Sequence, residues 1–135
     1  MGIPVRMSEA AALAIHTAVH LASNDGRPVS TREVAEEIHA SEAHLSKVLQ
    51  RLTKCGLVRS IRGPKGGFVL NKPGENLALI QVYEAIEGPL ESSACLFDRE
   101  VCSRKKCVMG DLLVKVNREL RAYLSGTRVA DLREG

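Results

Sequence analysis

Three of the four cysteines fall within thirteen residues, in the run Cys95-Leu-Phe-Asp-Arg-Glu-Val-Cys102-Ser-Arg-Lys-Lys-Cys107. Thiolates are soft donors that suit iron–sulfur clusters and zinc alike. Zinc sites usually carry a tight C-x2-C pair, and none is present here. Arg99, Arg104, Lys105 and Lys106 surround the cysteines with positive charge, which favours an anionic cluster open to solvent. The same residues also read as a thiol–disulfide sensor without metal, or as three unconnected buried thiols. Cys55 stands apart and reads as a packing residue.

A second chemistry lies upstream. Between Ala43 and Gly74 there is no Asp or Glu, yet Lys47, Arg51, Lys54, Arg59, Arg62, Lys65 and Lys72 all occur there. The net charge of +3 hides this segregation. A local positive field of this kind is the footprint of a polyanion binder, and its placement on secondary structure decides against a merely solvated face.

The elements that carry these residues follow from periodicity and caps. Residues 8–22 read as an apolar, alanine-rich helix capped by Ser8, and Ser23–Pro28 as a turn. Ser30 and Glu33 have capping-box spacing for a short second helix through Ile38. Ser41 caps a third helix that stops at Cys55-Gly56. In that helix Leu45, Val48, Leu49 and Leu52 form a core stripe, while His44, Lys47, Arg51 and Lys54 form a basic stripe on a largely opposite face. This is the pattern of a helix-turn-helix whose second helix enters a major groove.

Two β-type runs follow, Leu57–Ile61 and Phe68–Leu70, joined by Arg62-Gly-Pro-Lys-Gly-Gly67. They read as a wing with a basic tip, where bare backbone approaches a phosphate or a narrow minor groove. Leu77–Glu87 reads as a fourth helix ended by Gly88-Pro89, and the cysteine loop comes next. A last helix runs over about 108–124, with Leu112, Leu113, Val116, Leu120, Tyr123 and Leu124 on one side. That stripe is long enough to need a partner subunit, packing on the first helix being the alternative. The fold class is therefore mostly α with a small β wing. Residues 1–88 form a winged helix-turn-helix domain, 89–107 the cysteine-bearing loop, and 108–135 the dimerisation helix and tail. The residues expected at DNA are Thr31, Arg32, Ser41, His44, Lys47, Arg51, Arg59, Arg62, Gly63, Lys65 and Gly66.

Several classes are disfavoured. No apolar run approaches the roughly 18–20 residues of a membrane span, and the N-terminus lacks the parts of a secretory signal. The chain reads as cytoplasmic and nucleoid-associated, where clustered cysteines bind metal or sense redox. No nucleophile–base pair, phosphate loop or paired carboxylates suggest an enzyme. Only Phe68, Tyr83, Phe97 and Tyr123 are aromatic, too dispersed to stack single-stranded bases, so duplex DNA is preferred to RNA.

This order of parts, with Leu57-Val-Arg-Ser-Ile-Arg-Gly-Pro-Lys-Gly-Gly67, the three cysteines and a terminal Thr127-Arg-Val-Ala-Asp-Leu132, resembles the Rrf2 family of bacterial winged-helix regulators, of the IscR, NsrR and RirA type. The resemblance implies a homodimer held by the last helix on a palindromic operator. It also implies an iron–sulfur cluster, [2Fe-2S] or [4Fe-4S], on Cys95, Cys102, Cys107 and one non-cysteine ligand. The spacing departs from the five and five residues usual in IscR- and NsrR-type members. Gly110 stands where the IscR type has a ligand His, and Ala12 near where the NsrR type has an Asp. His16, one turn beyond Ala12, is the candidate fourth ligand, with Glu9, His20, Asp111 and solvent as alternatives.

Overall fold

The computed structural model describes residues 7–24, 26–90 and 105–134. Helices α1 (Glu9–Ser23), α2 (Thr31–Ile38) and α3 (Glu42–Lys54) precede strands β1 (Val58–Ile61) and β2 (Gly67–Leu70). Helices α4 (Leu79–Glu87) and α5 (Leu112–Gly126) complete the fold, with 3-10 turns at Gly74–Asn76 and Val129–Leu132. Among the described residues no helix is long and apolar enough to cross a membrane.

Serine starts each of the first three helices. The hydroxyls of Ser8, Ser30 and Ser41 accept from Ala11 N–H at 3.0 Å, Glu33 N–H at 3.1 Å and His44 N–H at 3.0 Å. Each cap contributes about 1 kcal/mol. The box expected at Ser30 is only half formed, because the Glu33 carboxylate turns to Arg27 at 3.0 Å. The hydrogen bond from Arg27 holds the Glu33 carboxyl below its ordinary range. The α2–α3 turn is made by His39, whose φ of 55° lies in the left-handed region.

Leu45, Leu49 and Leu52 of α3 are fully buried with Val29, Val34, Val58, Leu77, Val82 and Val129. The wing is an antiparallel hairpin pairing Val58 with Leu70 and Ile61 with Gly67. A third strand position enlarges it: Val29 N–H donates to Phe68 O at 3.0 Å and Phe68 N–H to Val29 O at 2.8 Å. Val29 directly precedes the cap of α2, so the hairpin is fastened to the start of the helix-turn-helix. Gly67 makes this approach possible, since a Cβ there would lie 2.6 Å from the Val29 carbonyl.

Two helix boundaries differ from the sequence reading. α4 begins at Leu79 because Leu77 and Ala78 are extended and pair with the C-terminal segment. Leu79 N–H donates to Thr127 O at 3.0 Å and Val129 N–H to Leu77 O at 2.8 Å. α5 begins at Leu112 because Gly110, at φ 61°, interrupts the helical path. The single apolar stripe expected on α5 divides into two faces. At 100° per residue Leu113, Asn117, Leu120 and Leu124 span about 60°. These four pack inward, Leu124 within the same core as α1–α4 and Leu120 against it. Leu112, Val116 and Tyr123 lie about 90° around the helix, with Leu112 49% and Tyr123 55% exposed.

Replacing Gly67 with Ala forces backbone apart from backbone at Val29, and should destabilise the protein by about 2 kcal/mol. Urea denaturation would show it as a lower midpoint at unchanged slope. A wild-type midpoint would mean that the wing is not fastened there.

Candidate nucleic-acid interface and thiol centre

The direction of α3 is set by its buried stripe. Diametrically opposite that stripe, helical phase places Ala43, Lys47, Gln50 and Lys54. Lys47, Gln50 and Lys54 are exposed, and Ser46 is half-buried on one flank, about 70° from that direction. Of the residues read from sequence, Lys47 therefore stands on the outermost face. His44 and Arg51 lie on its flank, about 70–90° away. His44 is half-buried, and Arg51 donates its Nε–H to Ala85 O on α4 at 3.0 Å. A groove of about 460 Å³ separates this flank from Ala10 and Ile86. Gln50 joins Lys47 on this face although it carries no charge, because phase relative to the core and not charge decides which side chains point outward. Ser41 sits at the N-terminus of α3, its oxygen engaged as the cap.

At the hairpin, Arg59, Arg62, Gly63 and Lys65 are exposed, and the tip is closed by Gly66 N–H on Gly63 O at 2.9 Å. The two glycines at the tip differ. Gly63 has open space around it, whereas a Cβ on Gly66 would lie 1.9 Å from Ile61 O. Close approach therefore requires glycine at Gly66, while a φ of 115° favours glycine at Gly63. Thr31 is half-buried, and Arg32 pairs with Glu36 at 3.3 Å across exposed side chains. So exposed a pair is worth little, and a phosphate can displace the carboxylate. The exposed cations of α3 and of the wing belong to one rigid body, because the Val29–Phe68 bridge links hairpin to helix-turn-helix.

Cys107 is exposed, and its Sγ accepts a hydrogen bond from Met109 N–H at 3.4 Å. The turn closes through Gly110 N–H on Cys107 O at 3.0 Å. Cys95 and Cys102 lie outside the described residues. Cys55, expected to pack, is exposed, because it caps the end of α3 off the core stripe and turns its Sγ toward Ala85 O.

The candidate fourth ligands differ in their engagement. His16 is exposed, and its Nδ1 lies 2.8 Å from Ala12 O. A carbonyl only accepts, so Nδ1 carries a proton, and Nε2 is the nitrogen that offers the lone pair in the neutral ring. That is the arrangement in which an imidazole ligates metal. His20 has its Nε2 3.4 Å from Asn24 Nδ2, and Asp111 pairs with Lys115 at 3.2 Å. His16 lines a groove of about 800 Å³ between α1 and α5, together with Ile15, Val19, Leu120 and Tyr123. Among the described residues no three His, Cys, Asp or Glu side chains converge on a metal position.

Residues 7–135 match the sequence model of the Rrf2 family, described as an iron-dependent transcriptional regulator. The chain is similar to the HTH-type transcriptional regulator IscR of Yersinia pseudotuberculosis, with 29% identity over 114 residues, covering 84% of this chain and 69% of that protein. Its fold is similar to that of CymR, the global cysteine regulator of B. subtilis, with a TM-score of 0.79 and 26% identity over 95% of each chain. It is also similar to T. potens IscR, with a TM-score of 0.72 and 26% identity, covering 95% of this chain and 85% of that one.

If the wing tip meets phosphates, Arg62→Ala or Lys65→Ala lowers the slope of log affinity against log salt by about 0.9 per wing, with similar losses on all sequences. Gln50→Ala should instead alter the preferred base at one position of each half-site, by about 1–3 kcal/mol. Fluorescence anisotropy over a salt series, on a panel of duplexes, measures both. An unchanged salt slope would remove the wing from the interface.

Proposed function

Because the chain belongs to the Rrf2 family of transcriptional regulators, we propose that it is a cytoplasmic, homodimeric, DNA-binding repressor that senses redox state, iron or nitric oxide through an iron–sulfur cluster. Cys95, Cys102 and Cys107 would hold the cluster, with His16 of the partner chain as the fourth ligand. The orientation of His16 carries the sensing half of this reading. Its Nδ1 is committed to Ala12 O, so Nε2 is presented in the α1–α5 groove. The donor set fits the group: Cys107 is exposed, and an N–H···S contact of the kind Met109 makes stabilises thiolate sulfur and tunes cluster potential. When bound, the cluster supplies chemistry that oxidants, iron supply or nitric oxide can alter. The protein's share is to prefer one arrangement of its DNA-binding units in each state.

The dimer follows from the divided faces of α5. Leu120 and Leu124 are used within the chain, whereas Leu112, Val116 and Tyr123 form a ridge on another face of α5, with Tyr123 also lining the α1–α5 groove. A two-fold contact of ridge against groove satisfies both copies at once. It would also bring His16 of one chain toward Cys107 of the other, shortly before the partner's α5. The DNA-binding half rests on the outward face of α3 and the basic wing held in one body.

A second reading has support of its own. Cys107 is exposed and free, and the fold resembles that of a cysteine regulator. In that reading the cysteines act as thiol or disulfide sensors without metal.

Anaerobic purification with iron and sulfide analysis separates the two. The cluster reading expects visible absorption that is lost on replacing Cys95, Cys102 or Cys107 with Ser and kept in Cys55→Ser. His16→Ala should change the spectrum or its oxidative lability without abolishing it. Colourless, iron-free protein whose operator affinity responds to diamide would establish the thiol reading instead.

For the dimer, Tyr123→Glu should give folded monomers in sedimentation. Leu120→Glu strikes the chain's own core and should cost roughly 3 kcal/mol of folding stability. A folded dimer from Tyr123→Glu would place the contact elsewhere.

A further inference from the structure

Three helices are tied together at the last turn of α4. Gly88, at φ 82°, reverses the chain so that Leu90 folds back on the helix it has just left. Leu90 is buried, and its N–H donates to Glu84 Oε2 at 2.7 Å. Its carbonyl accepts from the Arg121 guanidinium on α5. The residue after Glu84 completes the link, since the Ala85 carbonyl accepts from Arg51 Nε on α3 at 3.0 Å. The ridge helix and the groove-reading helix are thus fastened to consecutive residues of α4.

We propose that Arg121, acting through Leu90 and Glu84, is a positioning residue for α3, and that this tie sets the half-site spacing which the dimer accepts in its operator. The inference rests on the proposed dimer and on duplex DNA as its partner. It does not depend on the cluster. In a two-fold dimer the exposed ridge of α5 lies at the contact between copies, and α3 lies out at the DNA. The offset between these helices within one chain then fixes the separation of the two recognition helices, and symmetry counts any error twice. Arg121 stands about 160° around α5 from the centre of the ridge, so it is turned away from the partner. Loss of the tie would leave each winged unit intact while loosening its angle to α5.

Moving the half-sites apart by one base pair displaces one of them by about 3.4 Å and rotates it by about 35°. A palindromic duplex selected from a random pool is compared with that lengthened version and with an isolated half-site, by anisotropy, using wild type, Arg121→Met, Arg121→Lys and Glu84→Leu. Wild type should lose roughly tenfold on the lengthened duplex, the scale of one mismatched pair. Arg121→Met should lose less than roughly threefold there, while its affinity for the isolated half-site stays within about twofold of wild type. Arg121→Lys, which can still donate to the Leu90 carbonyl, should keep the wild-type preference. Glu84→Leu removes the acceptor for Leu90 N–H and should relax spacing as Arg121→Met does, which also provides the reading if Arg121→Met fails to fold. Equal spacing penalties in wild type, Arg121→Met and Glu84→Leu overturn the proposal, as does a lysine variant that behaves like methionine. A wild-type protein that selects no duplex, or binds half-sites only as a monomer, overturns the proposed function itself and this inference with it.

Discussion

Two backbone hydrogen bonds, from Leu79 to Thr127 and from Val129 to Leu77, decide where the long last helix can lie. They join the segment before α4 to the segment after α5, so the helix is laid across its own domain before any partner is met. Gly74 allows the close fit, since a Cβ there would come within 3.2 Å of Ala130. Val129 is fully buried as a result. With α5 held in this way, Leu124 faces the core, Tyr123 faces outward, and His16 lies on the wall of a groove instead of a free surface. The division between residues used within the chain and residues left for another molecule follows from this constraint.

The helix-turn-helix and its wing depend on a similar backbone contact. Val29 pairs with Phe68, and Gly67 leaves the room for it. The cations of the wing consequently have a fixed relation to those of α3, which a hairpin attached only through its own turn would not provide. A charged patch spread over mobile parts attracts polyanions. One spread over a single body also imposes a register on them.

Much of this was legible in the sequence because it is written in local chemistry. Ser8, Ser30 and Ser41 mark helix starts through one hydrogen bond each, and Leu45, Val48, Leu49 and Leu52 have a period that only a packed helix satisfies. What was not legible depends on contacts distant in sequence. Leu77 and Ala78 continue the apolar pattern of α4, yet Thr127 and Val129 claim their backbone groups. Glu33 had the spacing of a box, but Arg27 across the turn offered a full positive charge. The last-helix stripe looked single because apolar character does not reveal which side the chain itself will cover. Cys55 looked like a packing residue, although its position beyond the core stripe of α3 leaves it exposed. At the candidate site, the cations could be read from composition, while the flank position of Arg51 and the outward face of Gln50 required the direction of the core.

The pairing of Ala78 with Arg128 also bears on synthesis. Contacts so far apart along the chain form late, because the loop between them must close first. A nascent chain that has released α1 to α4 from the ribosome still lacks Leu124 and Val129, which complete the core. The DNA-reading half is then an unfinished body with an open seam, exposed to premature association with neighbouring nascent chains. Emergence of the final residues closes that seam and orients the outer ridge of α5 in the same step. In this order of events, the outer face of α5 is set only once the chain has finished folding around its own last helix.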